Sequence, residues 1–144
     1  QNDWNNLVKK RGYYAIVEGH LKEKQGTIKS YLKKNAQNIM YSSKKPGDGQ
    51  LAITNYKVIS EIDGYSLVDV HIDSGRKNQI RVHFGDLGHN VIGDDKYGNP
   101  SNPIKRLGLH AYELELTHPL TRKTLKFTAP IPKEFQILFP NLKN

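Results

Sequence analysis

The sequence contains no cysteine among its 144 residues. Without thiols the chain can form neither a disulfide framework nor a metal site built on thiolates. A reducing compartment is the simplest setting for a cysteine-free chain, so we expect a cytoplasmic protein.

Long hydrophobic runs are absent as well. No apolar stretch approaches the roughly 18 residues that a membrane-spanning helix requires, so we expect no membrane partner. Apolar residues make up 36% of the chain and charged residues 25%, which is ordinary for a globular domain of this length. We therefore expect a single domain over residues 1–144 and a monomer.

Acidic residues are few relative to basic ones. The chain has 22 Lys and Arg against 14 Asp and Glu, which gives a net charge of +8. A basic protein gains affinity for a polyanion by releasing its counterions, so nucleic acid is the favoured partner. The lysines are spread along the chain, and a basic protein that is merely soluble stays an alternative at this point.

Alternating hydrophobic residues indicate strands in the first half of the chain. Residues 13–17 predict a buried strand that ends at Gly19, and residues 27–32 predict a short second strand. Residues 1–10 have the pattern of the end of a helix, whereas residues 35–50 have the composition of a loop.

Two hairpins are predicted in the second half. The first joins strands at 51–62 and 65–73 through the turn Asp63-Gly64. Its second strand has one apolar face and one polar face, formed by Val68, Val70 and Ile72 and by Asp69, His71 and Asp73. The second hairpin joins strands at 112–117 and 125–129 around His118-Pro119.

A helix is predicted after each hairpin. Ile80, Phe84 and Leu87 have the spacing of one helical stripe, and Gly88 has the position of a C-cap. A short closing helix is predicted over residues 132–139. Together these elements predict an α+β fold dominated by antiparallel strands.

Residues 74–83 give the strongest chemical signal. They read Ser-Gly-Arg-Lys-Asn-Gln-Ile-Arg-Val-His and change from a strand through a tight turn to a helix. Backbone N–H groups and polar side chains at a helix N-terminus can bind phosphate oxygens. The four side chains at this position are Arg76, Lys77, Asn78 and Gln79. A solvated turn with incidental charge is the alternative interpretation.

The same run resembles the motif T-G-R-x-H-Q-I-R-V-H of RluA-family RNA pseudouridine synthases. Residues 87–98 resemble the segment that follows it in that family, L-G-H-P-I-x-G-D-x-x-Y-G. Shorter segments resemble the family in the same order, at residues 13–19, 26–28, 106–111, 118–119 and 127–132. The resemblance therefore covers nearly the whole chain.

This resemblance implies a pseudouridine-synthase-like fold, a mixed, mainly antiparallel sheet with flanking helices. It also implies that a uridine in structured RNA is extruded, cleaved at its N-glycosidic bond, rotated and reattached through carbon, with no cofactor and no metal. Large-subunit ribosomal RNA is the favoured substrate by resemblance, and transfer RNA is the next.

Several residues match functional positions of the family. Tyr13 matches the tyrosine on which the base stacks, and Arg81 matches the arginine that keeps the catalytic aspartate ionised. We assign substrate contacts to the neighbouring run, Arg76, Lys77, Asn78, Gln79 and Ile80. Tyr13 and Arg81 should then share one groove, with Arg81 partly exposed or paired with a substitute acid.

The sequence departs from the family in two places. The H-R-L-D segment, which supplies the nucleophilic aspartate, is not in this sequence, and Asp3 lacks the required neighbours. Lys77 and Asn78 stand where many relatives have another residue followed by His. We therefore expect the chain to be the C-terminal portion of a catalytic domain and to be inactive by itself.

Other functions stay open from sequence alone. A non-catalytic RNA-binding module of the same fold would lack the H-R-L-D segment upstream, and a basic structural protein of a ribonucleoprotein would have no pocket. A metal site has little support, because the spacing of the histidines at 83, 89, 110 and 118 matches no common zinc pattern. Ser42 and Ser43 lack the motif of a serine hydrolase.

Overall fold

The computed structural model describes residues 7–73, 75–98 and 102–142, which form a seven-stranded sheet and two helices. The strands are β1 (Val8–Glu18), β2 (Gln25–Lys34), β3 (Met40–Ser43), β4 (Gln50–Ile62), β5 (Tyr65–Ile72), β6 (Leu109–Thr117) and β7 (Thr124–Thr128). The helices are α1 (Gln79–Asp86) and α2 (Lys133–Leu138).

The strand order is β3-β2-β4-β5-β1-β6-β7, and each neighbouring pair in the described residues is antiparallel. Strand β1 lies between β5 and β6, although both follow it by many residues in sequence. The α+β class and the mainly antiparallel sheet are therefore confirmed.

One face of the sheet, which we call the α1 face, is covered by helix α1. Ala15 of β1 and Val70 of β5 are fully buried against Ile80 and Phe84 of the helix. Successive residues of a strand point to opposite faces, so the alternation of β5 places its valines under the helix.

The opposite face, the α2 face, is covered by helix α2 and the segments near it. Ile16 and Leu67 are buried there against Phe135 and Phe139. Toward the other end of this face, Asp69 and His71 are only partly buried, as expected for the polar side of β5.

The structure corrects three predictions of local structure. Of the predicted helix end, Leu7 is helical, whereas residues 8–10 are the start of β1, because Val8 and Lys10 pair with β6; residues 1–6 lie outside the described residues. The predicted loop 35–50 contains β3, a short edge strand that pairs with β2. Leu87 is 41% exposed because α1 ends at Asp86, which leaves this side chain beyond the last turn.

Candidate active site

A pocket of about 240 Å³ opens on the α1 face where β1, β5 and α1 meet. Tyr13 enters it from β1, Ile72 from β5 and Arg81 from α1. The complete lining is Tyr13, Ile72, Gly75, Arg76, Asn78, Gln79, Ile80, Arg81, Leu107 and Leu109. The structure thus brings Tyr13 and Arg81, which are far apart in sequence, to one cavity.

The turn that leads into α1 is held by Arg76 and Gln79. The Arg76 N–H donates to Gln79 Oε1 at 3.2 Å, and the Gln79 N–H donates to the Arg76 carbonyl at 3.1 Å. Gln79 Nε2 donates to the Ile53 carbonyl and to Thr54 Oγ1 in β4, at 2.9 and 3.0 Å. Gln79 therefore anchors α1 to the sheet, and both of its amide N–H groups already have acceptors.

The other residues of this turn differ in how they meet the pocket. Arg76 lines it while its Nε donates to the Leu51 carbonyl at 3.0 Å, so its stem is fixed to β4. Ile80 is buried and forms part of both the wall and the core beneath. Lys77 is exposed and does not line the pocket, which places it on the outer surface of the turn.

Asn78 has a left-handed backbone conformation with φ 57° and ψ 23°. Asn and His are among the residue types most often found in that region, apart from glycine. Asn, like the His that the resemblance expects here, is therefore a residue type suited to this backbone conformation. The Asn78 side chain does not cap the helix; its Nδ2 donates to the Tyr97 hydroxyl at 3.1 Å.

Arg81 forms a two-point ion pair with Asp94. Its Nε donates to Oδ2 at 2.9 Å, and its Nη2 donates to Oδ1 at 2.7 Å. Bidentate pairs of this kind fix direction as well as distance. Arg81 is therefore paired with a substitute acid, which is one of the two predicted arrangements. The sequence did not identify Asp94 as that acid.

The pair is ionised in the folded protein. The hydrogen bond to Asp94 raises the pKa of Arg81. Burial by itself would raise the pKa of Asp94, but the hydrogen bonds from Arg81 and from the Tyr97 backbone outweigh it and lower that pKa. The carboxylate is 1% exposed and the guanidinium 18%, so the acid is covered while the base reaches the pocket.

Tyr13 and two leucines form the less polar side of the pocket. Tyr13 is half-buried, and it also borders a second cavity of about 350 Å³ over β6 and β7. Leu107 and Leu109 were not predicted as site residues, although they lie in the segment 106–111 that resembles the family. No Asp or Glu is among the described residues that line the pocket.

A buried chain of hydrogen bonds lies beneath the pocket. His83 is fully buried; its Nδ1 is 2.7 Å from Thr54 Oγ1 and its Nε2 is 2.8 Å from Ser30 Oγ. Ser30 Oγ continues to Ser42 Oγ at 3.0 Å. Both ring nitrogens of His83 therefore have hydrogen-bond partners inside the protein. Among the described residues, no cluster of three His, Asp or Glu could hold a metal ion.

No helix in the described parts of the chain is long and apolar enough to cross a bilayer.

Comparison with known proteins gives a consistent result. The sequence profile described as RNA pseudouridylate synthase matches residues 1–86. An uncharacterized RNA pseudouridine synthase of Bacillus subtilis, YjbO, is 37% identical over 134 residues, which cover 93% of this chain and 47% of that protein. Ribosomal large subunit pseudouridine synthase D of Zymomonas mobilis is 33% identical over 142 residues, covering 92% and 44%.

A solved structure agrees with the sequence matches. Human RNA pseudouridylate synthase domain containing 1 superposes with a TM-score of 0.74 at 26% identity, covering 91% of this chain and 57% of that one. The chain spans less than half the length of the two bacterial relatives. As its resemblance to RluA-type sequences predicted, the chain belongs to the RNA pseudouridylate synthase family.

Proposed function

We propose that this chain forms the base-binding and arginine-bearing part of the active site of an RNA pseudouridine synthase. The observation that carries the proposal is the shared pocket of Tyr13 and Arg81. The two residues were assigned from separate motifs, and their roles require them to act on one nucleotide.

The aromatic side of the pocket suits an extruded uracil. Removing a base from an RNA stack costs a few kcal/mol, and stacking on an aromatic ring returns roughly 1–3 kcal/mol per base. Tyr13 supplies the ring, while Leu107 and Leu109 supply apolar wall on the same cavity. Such a pocket accepts a flat base and favours a nucleotide that is already unstacked in a loop.

The polar side of the pocket suits the chemical step. Isomerisation breaks the bond from C1′ to N1 of uracil, joins C1′ to C5, and moves the C5 proton to solvent while N1 gains one. An attacking carboxylate must stay ionised and directed, and Arg81 can provide a charge-assisted hydrogen bond to it. Because no acid lines the pocket in the described residues, we assign that carboxylate to an H-R-L-D segment outside this sequence.

The chain is accordingly proposed to be the C-terminal portion of a longer enzyme. The coverage of 47% and 44% of its relatives supports this. Large-subunit ribosomal RNA is the favoured substrate, because relatives such as the Zymomonas protein are named for it; transfer RNA is the next candidate. The net charge of +8 supports an RNA partner of either kind.

Pseudouridine mapping tests this proposal. The full-length protein and the 144-residue chain would each be incubated with total RNA from a strain that lacks the enzyme. We expect pseudouridine at a defined uridine with the full-length protein and none with the chain alone. Product formed by the chain alone would contradict the assignment of the nucleophile to an outside segment.

A non-catalytic RNA-binding module is the second candidate, and it is favoured by the lack of an acid among those described residues that line the pocket. The same experiment separates the two functions. If the full-length protein binds the RNA and forms no pseudouridine, it is an RNA-binding module. The proposal that it is a pseudouridine synthase would then be wrong.

A further inference from the structure

The guanidinium of Arg81 contacts three side chains, of which two also contact each other. Asp94 binds one edge through both carboxylate oxygens, at 2.7 and 2.9 Å. The Tyr97 ring lies beside the guanidinium, with 5.1 Å between Arg81 Cζ and the ring centroid. Asn78 Oδ1 accepts from Arg81 Nη1 at 3.4 Å. We call Asn78, Asp94 and Tyr97 the guanidinium clamp.

The clamp leaves one edge of Arg81 for a further partner. A guanidinium has five N–H donors in a fixed fork. Asp94 takes the edge formed by Nε and Nη2, whereas the edge formed by Nη1 and Nη2 has only the long contact to Asn78. That second edge matches the two oxygens of another carboxylate.

Asp94 is itself fixed from behind. Its Oδ1 accepts from the backbone N–H groups of Lys96 and Tyr97, at 3.1 and 2.9 Å. The preceding residue, Gly93, has φ +69°, and a Cβ added there would overlap the carbonyl oxygen of Arg106. The loop thus presents a covered, immobile carboxylate to Arg81.

Asn78 and Tyr97 join the loop to the turn before α1. The two polar atoms of the Asn78 side chain have different partners. Its Nδ2 donates to the Tyr97 hydroxyl, and its Oδ1 accepts from Arg81. The Tyr97 hydroxyl also accepts from the Met40 N–H at 3.1 Å. Rotation of the guanidinium would break contacts with two different segments at once.

From this geometry we infer that Asp94 and Asn78 are positioning residues, which orient Arg81 so that its Nη1 and Nη2 edge faces the attacking carboxylate. The inference rests on the proposed function. It gives the segment 93–98 a task distinct from RNA binding, and it assigns the Asn that replaces the family's His to the same clamp.

Single-turnover kinetics on the full-length protein test the inference. Asp94→Asn keeps the shape but removes the charge that fixes Arg81, and a misplacement on the order of 1 Å can cost about 100-fold in rate. We expect a loss of that order in the rate of pseudouridine formation, with RNA affinity within about twofold of the parent. Asp95→Asn, at the exposed neighbouring acid, is the matched control and should change neither.

A double-mutant cycle separates positioning from a structural role. Arg81→Lys keeps the positive charge but loses the forked arrangement of N–H donors that Asp94 orients. In the Arg81→Lys background, Asp94→Asn should therefore lower the rate of pseudouridine formation by less than about threefold. A loss as large as in the parent would overturn the inference, because Asp94 would then act independently of Arg81.

Asn78→Gly provides a second variant that does not disturb the buried acid. Glycine accepts the positive φ of this position, so folding should be kept while the amide contacts are lost. With protein in saturating excess over RNA, we expect the single-turnover rate to fall several-fold, and an unchanged rate in both Asn78→Gly and folded Asp94→Asn would overturn the inference. If the parent protein forms no pseudouridine, the proposed function itself is wrong. If the parent is active and the variants keep its rate, only the inference about the guanidinium clamp is wrong.

Discussion

His83 joins helix α1 to two strands of the sheet through both nitrogens of its imidazole ring. A consistent order of donors runs from Gln79 Nε2 to Thr54, from Thr54 to His83 Nδ1, and from His83 Nε2 to Ser30. A neutral ring has one donor and one acceptor nitrogen and fits this order. A protonated ring would have two donors and would leave the Thr54 hydroxyl proton without its acceptor.

This arrangement predicts that acid destabilises the protein through His83. Burial lowers the pKa of His83 below its usual value of 6.5. As the pH falls below about 6.5, the unfolded chain takes up a proton at this ring before the folded protein does, so the free energy of unfolding decreases. His83→Gln should reduce this decrease between pH 7 and pH 5, as measured by urea unfolding.

His20→Gln is the control for this experiment, since His20 is exposed. The loss of stability between pH 7 and pH 5 should be smaller in His83→Gln than in the control. An equal pH dependence in His83→Gln and the parent would show that the buried ring does not couple folding to protons.

At the scale of elements, the loop 93–98 requires a glycine at its first position. Gly93 combines a positive φ with a position where a Cβ would overlap the Arg106 carbonyl. Gly47 has a similar φ of +82° but no atom within 4 Å of the corresponding Cβ position. Alanine substitutions at these two glycines therefore distinguish the free-energy cost of backbone strain from the cost of steric overlap.

We predict that Gly93→Ala destabilises the protein by about 2–5 kcal/mol, the sum of left-handed strain and overpacking. Gly47→Ala should cost only about 1–2 kcal/mol, because strain alone applies. Urea unfolding of both variants measures the difference. Equal losses would mean that the segment carrying Arg106 moves away without resistance.

The elements differ in how well the sequence predicted them. Strand β5 was predicted because Val68, Val70 and Ile72 alternate with polar residues, and one face of that strand is buried. Strand β3 was missed because Met40–Ser43 carries only a weak apolar pattern at the sheet edge. Its pairing with β2 comes from backbone groups, which composition does not record.

The sequence also predicted only part of the candidate site. Tyr13 and Arg81 were found through motif resemblance, and the structure places both at the pocket. Asp94 lies in a matched segment too, yet no spacing rule states which of several acids will meet an arginine on a helix. Leu107 and Leu109 reach the pocket only because β6 pairs with β1, which is a property of the assembled sheet.

At the scale of the whole molecule, the charge of +8 predicts that the proposed binding of RNA is sensitive to salt. Each phosphate contact adds about 0.7–0.9 to the slope of log affinity against log salt concentration. Lys77 is exposed on the turn beside the pocket, so Lys77→Ala should reduce the slope by about one contact. Filter binding of the chain to a structured RNA over a salt series measures it.

Lys57→Ala is the matched control for this prediction. Lys57 is also exposed, but it pairs in register with Asp69, on the face of the sheet opposite α1. Its removal should leave the slope close to that of the parent. If Lys77→Ala leaves the slope unchanged, Lys77 does not contact phosphate.

The central place of β1 has a consequence for synthesis of the protein. Its neighbours β5 and β6 begin only at Tyr65 and Leu109, so a growing chain exposes one edge of β1 until β5 is made and the other edge until β6 is made. Contacts of such long sequence separation form slowly. A chain interrupted before β6 would keep residues 8–15 of β1 on an open strand edge, the kind of template on which chains aggregate. The lining of the pocket is therefore complete only when synthesis has reached Leu109, after most of the strands of the sheet have been made.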